Sequence, residues 1–138
     1  MSIQIQKHIK LGRYTAFEIG GPADYFCIVK NEAELIEALK WADYKNITYF
    51  LLGAGTNLLI SDRGIKGLVI KLENKDWQIN NNKFLADSGL RWGELLRVCK
   101  KNYLTGLEFT IGIPGTVGGG VVMNAGVTNK EIKDIVNK

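Results

Sequence analysis

The chain has 138 residues, 46% hydrophobic and 23% charged, which suits one compact domain or two small lobes and excludes a disordered chain. No apolar run reaches the roughly 18 residues of a membrane span, and the alternating start Met1-Ser-Ile-Gln-Ile-Gln-Lys-His lacks the apolar stretch of a signal peptide. A net charge of +4, without Lys and Arg interleaved with aromatics, argues against a nucleic-acid partner and leaves room for a phosphate-bearing ligand.

After the polar start, Ala23-Asp-Tyr-Phe-Cys-Ile-Val-Lys30 is rich in β-formers and predicts a strand. Cys27 in that run and Cys99 lie far apart, with no C-x-x-C spacing and a single histidine in the chain. They read as buried thiols of a reducing cytosol, and no metal site is expected. Asn31 and Glu34 have capping-box spacing, so a helix is predicted from Glu32 to about Tyr44, with Leu35, Ile36, Leu39 and Ala42 as its apolar face. Thr48-Tyr-Phe-Leu-Leu52 is apolar throughout and is expected to be a central strand. It runs into Gly53-Ala-Gly-Thr-Asn57, after which Leu58-Leu-Ile-Ser61 resumes an extended pattern. A turn around Asp62-Arg-Gly64 then leads to a strand at Gly67–Leu72.

Polar residues from Glu73 to Asp76 mark the expected seam, dividing the chain into lobes 1–72 and 73–138. Trp77-Gln-Ile-Asn80 and Lys83-Phe-Leu-Ala-Asp87 predict a hairpin. A helix of about ten residues follows Ser88-Gly89, with Trp92, Leu95, Leu96 and Cys99 at helical spacing as its core face. The chain ends in Glu131-Ile-Lys-Asp-Ile-Val-Asn-Lys138, where Ile132, Ile135 and Val136 begin a pattern that finds no partner downstream. Strands alternating with helices make the fold α/β or α+β.

Glycine carries the chemistry. Seven of the 16 glycines lie between Gly106 and Gly126, a stretch with one proline. Such backbone adopts positive φ or lies close against something. The loop Gly53-Ala-Gly-Thr-Asn57 follows a strand, where glycines let N–H groups face an anion. A dinucleotide fingerprint would need a third glycine where Leu58 stands, and a P-loop would need a following Lys-Ser or Lys-Thr. The loop is therefore a phosphate nest of another kind or a plain turn. Asn57, which closes it, would bond a diphosphate or pin the loop through its own backbone. In Gly112-Ile-Pro-Gly-Thr-Val-Gly-Gly-Gly120, Thr116 is placed to cap a short helix whose N-terminus would favour phosphate.

Four segments in colinear order resemble one family. These are Leu51 to Ile70 (LLGAGTNLLISDRGIKGLVI), Ser88 to Leu95 (SGLRWGEL), Thr105 to Gly119 (TGLEFTIGIPGTVGG) and Met123 to Gly126 (MNAG). Tyr14 to Ala23 (YTAFEIGGPA) adds a fifth. Together they are similar to the UDP-N-acetylenolpyruvoylglucosamine reductases, the MurB flavoenzymes of peptidoglycan synthesis. The resemblance implies an α+β, two-lobed FAD-binding fold of the vanillyl-alcohol-oxidase type, with FAD held between the lobes. Gly53, Ala54, Gly55, Thr56, Asn57 and Leu58 match the loop around the FAD diphosphate. Ile113, Pro114, Gly115, Thr116, Val117, Gly118 and Gly119 match a strand-turn segment lining diphosphate and flavin, and Asn124, Ala125 and Gly126 match a segment near the isoalloxazine. Val127-Thr-Asn129 stands where the family has Ala-Tyr-Gly.

The implied reaction passes hydride from NADPH to FAD and from flavin to the enolpyruvyl group of a UDP-sugar, in the cytoplasm, for cell-wall biogenesis, cell shape and division. The family's proton-donating serine, and the glutamate and arginine that assist at the substrate carboxylate, would lie beyond residue 138, so no catalytic residue is expected within this chain. It reads as an N-terminal piece without its substrate domain. Arg63, Arg91 and Arg97 are expected at the surface or in local pairs, and neither Ser61 nor Ser88 lies in the proton donor's motif. The competing readings are another oxidase or dehydrogenase of the same fold, or a non-catalytic nucleotide-binding module.

Overall fold

The computed structural model describes residues 3–81, 83–127 and 129–136. The chain divides into two compact units, Met1–Asn74 and Lys75–Lys138, and the fold is α+β.

The first unit is built from β1 (Gln6–Lys10), β2 (Pro22–Val29), α1 (Glu32–Tyr44), β3 (Tyr49–Leu52) and β4 (Ile65–Leu72). Its sheet has the order β1-β2-β4-β3. Strand β1 runs antiparallel to β2, while β2, β4 and β3 are parallel. Asn31 caps α1 by accepting the Glu34 amide at 2.9 Å, and the Glu34 carboxylate accepts the Lys30 amide at 2.7 Å. Helix α1 buries Ala38 and Ala42, with Leu35 and Leu39 beside them, against Cys27, Val29, Leu68, Ile70 and Leu72. The opposite face of the sheet presents Ala23, Phe26, Leu52 and Val69 to Leu11 and Ile60. Tyr14 stacks on Phe26 there, ring centroids 4.7 Å apart. Both faces of β4 are covered, so Leu68, Val69 and Ile70 are all fully buried, as in parallel strands generally.

Two expectations, for β3 and for the inward face of α1, need correction, and one strand goes beyond the sequence reading. Strand β1 was not anticipated: it is an edge strand held by its backbone ladder to β2, and its mostly polar residues carry no apolar signal. Thr48–Leu52 is not central, because β3 occupies the sheet's edge with Tyr49 and Leu51 exposed. Residues 58–61 form a loop anchored by buried Ile60. On α1, Ile36 faces outward and Ala38 takes the inward position, since the buried stripe follows 35, 38, 39 and 42.

The second unit begins with the antiparallel hairpin β5 (Trp77–Asn80) and β6 (Lys83–Ala86), where Trp77 and Phe84 stack at 5.6 Å. Then come α2 (Trp92–Lys101), α3 (Val117–Val122) and the small hairpin β7 (Gly126–Val127) and β8 (Lys130–Glu131). One-turn 3-10 helices stand at Glu108–Thr110 and Ile132–Asp134. The core gathers Leu90, Trp92, Leu95, Cys99 and Ile132, with Phe84, Phe109, Ile113, Val117, Ala125 and Ile135 packed on it. Leu96 is half-buried and lines a cavity of about 330 Å³ with Leu104, Leu107 and Ile111. Ile132 and Ile135 therefore do find partners, all earlier in the chain. Asn137, Lys138 and Thr128 lie outside the described residues. None of the described helices is long and apolar enough to cross a membrane.

Candidate functional site

Three parallel strands of the first unit end together at Val29, Leu52 and Leu72, and Gly53–Leu58 leaves the sheet at that end. Ligands of open α/β sheets gather at the carboxyl ends of strands. Gly55 holds a left-handed φ of +69°, and a Cβ there would run into the carbonyl of Tyr14. Its own carbonyl accepts the Ala16 amide at 3.0 Å. The Gly53 carbonyl accepts the ammonium of Lys71, in the neighbouring strand β4. Thr15, buried, holds the supporting turn by donating its hydroxyl towards the carbonyls of Gly12 at 3.1 Å and Ile19 at 3.0 Å. Leu58 packs beneath the loop against the sheet's loop-covered face.

Among the described residues, the amides of Ala54, Gly55, Thr56, Asn57 and Leu58 make no backbone hydrogen bond. Successive N–H groups without backbone partners are the donors that an anion-binding turn uses. Asn57 is exposed, and its side chain makes no hydrogen bond with any other described residue. The expectation that it pins the loop through its own backbone is thus corrected.

The second glycine loop is organised differently. Residues 113–115 carry no regular element, Thr116 is extended in an isolated antiparallel bridge with Arg91, and α3 follows directly. Thr116 caps α3 by accepting the Gly119 amide at 3.4 Å. Val117 donates to Leu90 O at 2.8 Å and Gly118 to Ser88 O at 2.9 Å. The first three amides of α3 are therefore taken up internally, and this N-terminus is not the open phosphate site that the capping pattern suggested. Gly115 and Thr116 keep amides with no backbone partner among the described residues. Pro114 and Gly119 are exposed, and Ile113 and Val117 turn into the core.

Close packing accounts for two of these glycines. A Cβ on Gly118 would lie 2.6 Å from the Cβ of Ser88, and one on Gly120 would lie 2.6 Å from Trp92 Nε1. That buried indole nitrogen has no hydrogen-bond partner among the described residues. Gly119 has room, its nearest neighbour being Thr116 Oγ1 at 3.4 Å.

Asn124 is engaged through both its backbone conformation and its side chain. It sits at φ +46°, donates from Nδ2 to Glu131 at 3.0 Å and accepts the Lys133 amide at 3.0 Å. Its side chain fastens the β7–β8 hairpin instead of facing outward. Beside it, Ala125 donates to Gly120 O and accepts from Ile132 N, both at 2.9 Å. Lys133 pairs with Glu131, and this contact, with the Asn124 bond, holds the Glu131 carboxyl below its usual range.

Arg63, Arg91 and Arg97 are exposed. Ser61 accepts the Arg63 amide at 3.2 Å, a local turn contact. Burial pushes the Cys27 thiol up to about 11, with Glu34 adding to the effect, and raises Cys99 in the same direction. The supports at Ala16 and Lys71 were missed by sequence reasoning. Nothing local marks them, because each reaches the loop from a distant part of the chain.

A model of a family described as FAD binding domain matches residues 23–138. A UDP-N-acetylenolpyruvoylglucosamine reductase of Caldanaerobacter subterraneus subsp. tengcongensis is 42% identical over 127 residues, covering 91% of this chain and 42% of that protein. The protein of the same name from Clostridium kluyveri is 38% identical over 135 residues, covering 97% of this chain and 44% of that one. The crystal structure of the Thermus caldophilus reductase, MurB, superposes with a TM-score of 0.76 at 32% identity over 94% of this chain and 45% of that chain. The chain spans less than half the length of these relatives.

Proposed function

We propose a function from one premise: this chain belongs to the FAD binding domain family. It holds FAD within a UDP-N-acetylenolpyruvoylglucosamine reductase. Such an enzyme uses NADPH to reduce the enolpyruvyl group of UDP-N-acetylglucosamine enolpyruvate, giving UDP-N-acetylmuramate for cytoplasmic peptidoglycan synthesis and so for cell shape and division. The observation that carries this reading is the run of open amides from Ala54 to Leu58 at the carboxyl end of three parallel strands.

These residues fit a diphosphate. An anion with several oxygens uses successive N–H donors that cost no reorganisation when it arrives. Gly55 is the position where only glycine meets both the positive φ and the approach of Tyr14. Leu58 and Ile60 hold the loop down from within. In the second unit, the Gly115 and Thr116 amides and the bare backbone of Pro114 and Gly119 offer a thin, flat surface to a ring or phosphate. Ile113, Val117, Gly118, Asn124, Ala125 and Gly126 support that surface from behind. When bound, the isoalloxazine supplies the hydride chemistry, and protein groups position it. We assign no proton donor within this chain.

The reading is tested by titrating the purified chain with FAD and following flavin fluorescence and visible absorption. Saturable binding of FAD, and of ADP as the part carrying the diphosphate, is the expected result. Absence of saturable binding for both would overturn it.

A further inference from the structure

The first unit's phosphate loop is held from two sides, and both hands grip carbonyls. Lys71 donates its ammonium to Gly53 O, and Ala16 donates its amide to Gly55 O at 3.0 Å. A trans peptide is planar, with its C=O and N–H pointing to opposite sides. No cis peptide interrupts this stretch. Fixing the Gly53 carbonyl inward therefore turns the Ala54 N–H outward, and fixing the Gly55 carbonyl does the same for Thr56 N–H. Both are among the amides with no backbone partner.

Lys71 owes its place to the sheet. Leu52 is its register partner, so the chain enters the loop beside it. Along β4, Leu68, Ile70 and Leu72 face α1, and alternation sends Val69 and Lys71 to the opposite, loop-covered face. The side chain is half-buried. A lysine on such a face of a central strand loses solvation, and the Gly53 carbonyl compensates in part. It also brings a positive charge to the start of the loop, at the Gly53 carbonyl.

We propose that Lys71 is the positioning residue of the phosphate loop: it fixes the Gly53–Ala54 peptide in the orientation that receives a diphosphate. The proposal rests on the reading of Gly53–Leu58 as the FAD diphosphate site. A peptide freed to rotate would offer its carbonyl to the anion in part of the population, lowering affinity by the fraction lost.

The test compares the chain with its Lys71→Met and Lys71→Arg variants, using FAD, ADP and riboflavin as separate ligands. Circular dichroism checks the fold of each. Should the methionine variant not fold, Lys71→Gln takes its place. We expect Lys71→Met to weaken FAD and ADP about ten- to a hundredfold, the worth of a charge-assisted hydrogen bond. Riboflavin, which has no diphosphate, should bind both proteins alike, and Lys71→Arg should restore most of the loss. Unchanged FAD and ADP affinity in the folded variant would overturn the role of Lys71 and leave the FAD site standing. Equal loss for riboflavin would overturn it too, since that marks general collapse. If the unaltered chain binds neither FAD nor ADP, the FAD reading fails and this proposal with it.

Discussion

Glycines in the two loops differ in what they report. Gly55 cannot be changed without damage, because φ +69° and the nearby Tyr14 carbonyl penalise any Cβ. Gly55→Ala should cost about 1–3 kcal/mol of stability, so its loss of FAD binding would say little about contact. Gly119 is the informative position, since a methyl group there meets only Thr116 Oγ1 at 3.4 Å. Gly119→Ala should stabilise α3 by about 1 kcal/mol and yet weaken FAD, if the cofactor lies on that exposed backbone. A raised melting temperature with unchanged FAD affinity would remove α3 from the site. The cysteines permit a second prediction at this scale. Cys27 and Cys99 are buried and their thiols are raised by desolvation, so neither presents the reactive thiolate at neutral pH. A thiol reagent followed by absorbance should react with neither until denaturant is added, and rapid labelling of the native chain would contradict their burial.

At the scale of elements, the Asn124 cluster makes the β7–β8 hairpin sensitive to acid. The Glu131 carboxyl lies below its usual 4.5 through Lys133 first and Asn124 next. A carboxyl lowered by folding contributes stability that is present above its unfolded pKa and lost as pH falls through the folded one. The hairpin should therefore loosen as pH drops below about 4.5, a change visible in the Asn124 side-chain amide resonances, and Glu131→Gln should flatten that response. Elements with local signals were legible in the sequence: the Asn31–Glu34 cap of α1, the 92, 95 and 99 spacing of α2, and the β5–β6 hairpin. Strand β1 was not, because pairing by backbone leaves no mark on side chains. The place of β3 in its sheet was hidden as well, since an apolar run does not state how many neighbours a strand has. The loop at Gly53 stood out as glycines after a strand, but its supports at Ala16 and Lys71 come from other elements. The same reason concealed the loss of α3's amides to Ser88 and Leu90.

For the whole molecule, binding and turnover separate. The chain covers 42% and 44% of two relatives named as reductases, and no proton donor is assigned within it. With excess FAD, NADPH oxidation that depends on the enolpyruvyl UDP-sugar should stay at background, and a rate in the usual enzymatic range of about 1–10³ per second would place the catalytic groups among these residues. Strand β3 has a consequence beyond the single molecule. Its outer side is unpaired among the described residues, with Tyr49 and Leu51 exposed by 55% and 46%, and it leads straight into the loop Gly53–Leu58. Such an edge is a template on which another copy can add a strand. Colloidal behaviour and the proposed diphosphate site thus share one border of the sheet, and a net charge of +4 offers only mild mutual repulsion. Leu51→Lys should extend the concentration range free of light scattering, because it places a charge on that border while leaving the buried Leu52 and the loop's amides where they are.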